Sequence, residues 1–136
     1  MASDWFRDLA ATTGSVKWRS LDADRYKTSP VVAGGLVYAG TAEGSVDGLI
    51  WAIDTATGST EWTTDFVGPT HSSPAVANGV LYVGGADGLY AFDASTGALL
   101  KKTASVGSGF DGAPAVSDGM VFTSTADGTV YAFGLP

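Results

Sequence analysis

Apolar residues in this chain fall into short runs whose members alternate, and each run is cut by a turn dipeptide. Three runs open after a proline: Val31-Val32-Ala33 after Pro30, Ala75-Val76-Ala77 after Pro74 and Ala115-Val116-Ser117 after Pro114. Each meets a pair that accepts positive φ at both positions, Gly34-Gly35, Asn78-Gly79 or Asp118-Gly119, as a type I′ hairpin requires. A second run follows: Leu36-Val37-Tyr38-Ala39, Val80-Leu81-Tyr82-Val83 and Met120-Val121-Phe122-Thr123. The period of two and the β-branched and aromatic content predict strands. Another turn, Asp87-Gly88 or Asp127-Gly128, leads to a third run: Leu89-Tyr90-Ala91-Phe92, Thr129-Val130-Tyr131-Ala132-Phe133 and, earlier in the chain, Leu49-Ile50-Trp51-Ala52-Ile53. In the first unit that turn is stretched to Glu43–Gly48, an insertion of the kind that marks a binding face, with neutral drift in a surface loop as the alternative.

The third run ends in a recurring turn. Ala52-Ile53-Asp54-Thr55-Ala56-Thr57-Gly58-Ser59-Thr60-Glu61-Trp62 returns, degraded, as Ala91–Lys101, and is foreshadowed by Ala10–Trp18. Asp and Thr side chains there bond local backbone, and Gly supplies the left-handed position. Four antiparallel strands repeated about every 40 residues read as propeller blades. An open meander or a sandwich is the rival, but neither needs the same turn chemistry at the same offset. The expected fold is therefore all-β. It is one propeller-repeat domain over 1–136, with blades at 29–66, 73–106 and 113–133, the last joined by 13–20.

The spacing Ala-x-Asp-x-x-Thr-Gly-x-x-x-Trp resembles the tryptophan-docking signature of the PQQ-like repeat family. That family includes quinoprotein alcohol dehydrogenases and BamB-like scaffolds of outer-membrane assembly. The likeness spans roughly residues 8–133. Asp54, Gly58 and Trp62 match it fully. Asp93 and Gly97 match, with Lys101 in the Trp position, and Gly14 and Trp18 match, with Ala10 in the Asp position. The resemblance implies that the Trp ring docks between blades against the Gly turn, with a weaker contact at Lys101. What the dehydrogenases of such a family use is missing. Their pocket has a vicinal disulfide and a Ca²⁺ ligand set, whereas this chain has no Cys and its one Asn, Asn78, is in a hairpin turn. No PQQ and no other cofactor is expected. Periplasmic or cell-surface placement is implied by the resemblance alone, and no signal peptide is evident in the sequence.

The unit that begins at Ala113 has three strands, and the Gly14–Ser20 segment resembles the missing fourth. A ring of propeller blades typically needs at least four. Two outcomes follow: the chain is an excerpt of a longer propeller, or copies join head to tail, the N-terminal strand of one completing the last blade of the next. Two copies would give six blades. Open edges and bare blade faces are otherwise an aggregation hazard. Asp4–Ala10 reads either as a short helix or as a remnant of a preceding third strand.

Composition narrows the function classes. The net charge of −7 without a basic stripe argues against nucleic acid. No apolar run is long enough to span a bilayer as a helix. The acidic residues are largely turn aspartates (Asp47, Asp87, Asp118, Asp127), which turn chemistry explains, and no Ca²⁺-loop motif occurs. The single His, His71, rules out a site with two or more His ligands, and no Gly-x-Ser-x-Gly elbow accompanies it. His71, Lys27 and Asp111 share one slot three residues before the landmark prolines. If the first strands are innermost, these three surround an axial mouth, with Tyr26, Thr70 and Phe110 beside them. The alternative is that they are solvated loop residues. Trp51 stands where Tyr90 and Tyr131 do and is expected in the core. The resulting reading is a non-enzymatic scaffold that binds a protein or peptide and joins into a larger homo-oligomeric ring. A self-assembling structural block and a fragment of a quinoprotein-type oxidoreductase are the alternatives.

Overall fold

The computed structural model describes residues 6–9, 12–20, 26–43, 47–67 and 72–135, and these contain no helix. The strands are β1 (Phe6–Leu9), β2 (Val16–Ser20), β3 (Val31–Ala33), β4 (Leu36–Glu43), β5 (Asp47–Asp54), β6 (Thr60–Val67), β7 (Ala75–Ala77), β8 (Val80–Gly85), β9 (Gly88–Asp93), β10 (Leu99–Lys102), β11 (Ala115–Ser117), β12 (Met120–Ser124) and β13 (Val130–Gly134). They form four antiparallel sheets. Sheet 1 is β1-β2, sheet 2 is β3-β4-β5-β6, sheet 3 is β7-β8-β9-β10, and sheet 4 is β11-β12-β13.

Local chemistry sets each hairpin. Gly34-Gly35, Asn78-Gly79 and Asp118-Gly119 all have positive φ, the type I′ geometry that matches the twist of the strands. The third and fourth strands share a register fault: the ladder shifts between Ala52 and Ile53 in sheet 2 and between Leu99 and Lys101 in sheet 3. As a result Trp62 lies opposite Ala52, and Lys101 opposite Ala91.

Neighbouring sheets approach each other through their first strands, β3 beside β7 and β7 beside β11. The sheets therefore fan out from a common side, which is the propeller arrangement. Apolar side chains fill the wedges between them. Tyr38, Ile50 and Ala52 of sheet 2 cluster with Leu81, Val83 and Phe92 of sheet 3. Tyr82, Leu89 and Ala91, on the other face of sheet 3, cluster with Phe110 and Val121 beside Tyr131 and Phe133. Alternation along each strand thus gives every complete sheet two buried faces.

Three features differ from the sequence reading or resolve it. Phe6–Leu9 is a strand, not a helix, and its pairing with β2 copies that of β5 with β6, including the shift before Leu9. Within one chain, β2 pairs with β1, and β13 pairs with β12 alone among the described strands, so Val16–Ser20 does not complete sheet 4 here. The reason is proximity, because a hairpin partner reached by a short connection costs little closure entropy. The third concerns the insertion at Glu43–Gly48. Glu43 pairs with Asp47 and Ala42 with Gly48, which makes it a lengthened hairpin; its tip, 44–46, lies outside the described residues.

Candidate functional site

The Asp-x-x-Thr-Gly turns are built by their own side chains. Asp54 Oδ1 accepts from the N–H of Ala56 (2.8 Å), the N–H of Thr57 (2.9 Å) and the Thr57 hydroxyl (3.1 Å). Asp93 Oδ1 accepts from the Ser95 N–H and hydroxyl and from the Thr96 N–H. These donors favour the charged form. Asp54 is held below the usual carboxylate range by Thr57 N–H first and Ala56 N–H next, and Asp93 by the Ser95 hydroxyl first. Gly58 and Gly97 then take φ of +76° and +77°.

Both glycines carry an indole. A Cβ on Gly58 would sit 2.7 Å from the Trp18 ring, and one on Gly97 2.6 Å from the Trp62 ring. Each Trp lies on the outer strand of one sheet and covers the turn of the next, so the motif is a sheet-to-sheet clasp. Gly14 has the same φ, +71°, with nothing within 4 Å. The two clasps differ in one bond. Trp18 Nε1 donates to Thr55 O at 2.9 Å. The equivalent acceptor, Ala94 O, is taken at 2.7 Å by the Tyr38 hydroxyl, and Trp62 Nε1 is buried without a partner among the described residues. Sheet 1 consists of counterparts of β5 and β6, so none of its described residues is a counterpart of Tyr38 that competes with Trp18. Lys101, in the Trp slot of β10, is exposed and borders a cavity of about 100 Å³ lined by Tyr82, Leu89, Val121 and Phe133.

The lead-in segments of successive first strands touch: Ser29 N–H donates to Ser73 Oγ (2.9 Å) and Ser72 Oγ to Gly112 O (3.0 Å). Lys27 and Asp111 hold the same place in their repeats. Their N–H groups bond Gly40 O and Ser124 O, and both residues are exposed. Tyr26 is half-buried, bonded to Ser20 Oγ at 3.1 Å and set edge-on to Trp51. Phe110 corrects the sequence reading: it is buried against Tyr131 and Phe133 and is a core residue, not a mouth residue, because its ring fills the wedge between sheets 3 and 4. Trp51 is half-buried, and its indole donates to Thr41 Oγ1 at 3.3 Å. His71 and Thr70 lie outside the described residues.

Sequence reasoning missed a compensated pair where these lead-in segments meet the second strands. Thr28 Oγ1 accepts from Gly40 N–H (2.7 Å) in sheet 2, and Ser72 Oγ from Gly84 N–H (3.1 Å) in sheet 3. In sheet 4 the residues trade places: Gly112 stands in the hydroxyl slot and Ser124 in the glycine slot, and a Cβ on Gly112 would collide with Ser124 Oγ. Laying the three repeats side by side at both slots would have shown it.

The sequence model of the outer membrane protein assembly factor BamB matches residues 3–70 and 46–134. The chain belongs to this family. Among solved structures, the computationally designed Ika4 protein is similar over 99% of this chain and 82% of its own (TM-score 0.83, 20% identity). BamB from Moraxella catarrhalis is similar over 98% of this chain and 44% of its own (TM-score 0.78, 24% identity). Quinohemoprotein alcohol dehydrogenase ADHIIG from Pseudomonas putida HK5 is similar over 85% of this chain and 20% of its own (TM-score 0.66, 27% identity). The chain thus spans less than half the length of these natural relatives. No curated protein sequence matches it. The fold is a β-propeller of PQQ-like repeats.

There is no Cys for a vicinal disulfide, and the described residues hold no group of three or more His, Cys, Asp or Glu able to bind a metal. No described helix is long and apolar enough to cross a membrane.

Proposed function

We propose that this chain is a non-enzymatic β-propeller scaffold for a protein or peptide, working as a head-to-tail assembly of copies. The observation that carries the reading is the fan of sheets that converge on their first strands, with hydroxyl bonds tying their lead-in segments together. In this reading the exposed Lys27 and Asp111, which hold the same place in their repeats, face one rim, where cationic and anionic side chains suit a polar peptide. Membership in the BamB family supports a scaffold role. Two copies, each contributing two full sheets and the parts of a third, would form six blades.

Light scattering coupled to size exclusion tests the assembly, with a dimer mass expected and a well-folded monomer at every concentration refuting it. A peptide library selected on the protein tests the rim. Selected peptides should lose at least tenfold in affinity when Lys27→Ala and Asp111→Ala are combined. Unchanged affinity would place the binding surface elsewhere.

A further inference from the structure

Among sheets 2, 3 and 4 the sheet-to-sheet packing is built twice, and counterparts of its contact residues are exposed on the outer sides of sheets 4 and 2. Tyr38 and Ala52 of sheet 2 pack with Val76 and Phe92 of sheet 3, and Tyr82 and Ala91 of sheet 3 with Val116 and Phe133 of sheet 4. One repeat further on, the slots of Tyr38 and Tyr82 hold Phe122, that of Ala52 holds Ala132, and Met120 stands beside Phe122. Phe122 is 38% exposed, Met120 37% and Val130 69%. One repeat back, the slot of Val76 and Val116 holds Val32, which is 64% exposed.

We infer that the third junction forms between two copies of this chain. The Met120–Phe122–Ala132 face of sheet 4 lies on the Val32 side of a second copy's sheet 2. There β13 takes β2 of that copy as its fourth strand and displaces β1. The repeat fixes the register. Trp62 lies opposite Ala52 and Thr64 opposite Ile50, so Trp18 falls opposite Ala132 and Ser20 opposite Val130. This inference rests on the head-to-tail reading above and specifies which edges and faces meet.

Two independent details favour β13 over β1 as the lasting partner of β2. The register position facing Trp18 in sheet 1 is Asp8, whereas its counterparts Ala52 and Ala91 are buried and the β13 counterpart is Ala132. An alanine suits a strand closed on both faces, and a carboxylate does not. The second detail is Phe122. Tyr38 takes the Ala94 carbonyl away from Trp62, but Phe122 has no hydroxyl, so the Thr55 carbonyl stays with the Trp18 indole when the junction closes. The bond already present at that clasp is compatible with the assembled state.

The chain has no cysteine, so engineered pairs read cleanly. Ser20→Cys with Val130→Cys should oxidise to a covalent species of twice the chain mass. Ser20→Cys with Phe6→Cys, a pair already in register within one chain, should lock β1 in place and raise the dissociation constant of the assembly at least tenfold. Phe122→Glu alters a face that is open in the single chain and should weaken assembly by a similar factor while leaving the monomer folded. An assembly that forms with no Ser20–Val130 cross-link and resists Phe122→Glu would overturn this junction yet leave the head-to-tail reading standing. A monomer under all conditions would overturn both.

Discussion

Two donors compete for one carbonyl at the clasp between sheets 2 and 3, and Tyr38→Phe removes the winner. The Tyr38 hydroxyl bonds Ala94 O at 2.7 Å, while Trp62 Nε1 is buried without a partner among the described residues. Burial first, then the charge of Asp93, pushes the phenol pKa up, so Tyr38 is a donor at any ordinary pH. Losing a typical hydrogen bond costs about 1 kcal/mol, and a buried donor left unsatisfied costs about 1–3 kcal/mol. At an ordinary buried site, Tyr→Phe would leave the carbonyl orphaned and destabilise by about 1–3 kcal/mol. Here the indole is placed to take over, because Trp18 already bonds the equivalent carbonyl, Thr55 O, at 2.9 Å. The new bond offsets the lost one and relieves the indole, so the net change should fall within about 1 kcal/mol of zero. Urea denaturation gives the free energy. The Trp62 indole N–H resonance gives the cause, and should move downfield and gain exchange protection. A loss above about 2 kcal/mol with an unmoved indole resonance would show that the two donors do not compete.

Other consequences follow from the same geometry. Gly97→Ala combines left-handed strain of about 1–2 kcal/mol with displacement of a packed indole, and should cost about 3 kcal/mol in urea titration. Gly14→Ala, with the same φ and open space around it, should cost only about 1 kcal/mol, so equal losses would contradict the clasp. Gly112→Ser alone should be strongly destabilising, and adding Ser124→Gly should restore most of the loss by recreating the Ser72–Gly84 pairing; additive losses would show that the two positions are not coupled. Asp54 and Asp93 titrate lower in the folded chain than in the unfolded one. Their contribution is therefore complete above the ordinary carboxylate pKa of about 4 and fades as pH falls through the folded values. Asp93→Asn should lower the urea midpoint at pH 7 and flatten its decline below about pH 4, and an unflattened decline would refute the assignment.

The sequence by itself determined the hairpins, the strands and the Asp-x-x-Thr-Gly turns, because each is specified by residues close together in the chain. Asn78-Gly79 and Asp118-Gly119 dictate type I′ turns, and Asp54 with Thr57 and Gly58 folds its own loop. The period of two then decides which residues face the wedges. Tertiary structure alone decided what depends on more than one repeat. Phe110 looked like a rim aromatic from its offset, yet it is core because the ring of Tyr131 closes over it. Tyr38 captured a carbonyl 56 residues away that local pattern assigns to Trp62. The pairing of β2 with β1 is likewise a tertiary outcome, since the residues of β1 carry no repeat landmark and its partner emerges only from the ladder. A local motif fixes which bonds a segment is able to make, and only the packed neighbours determine which of them it does make.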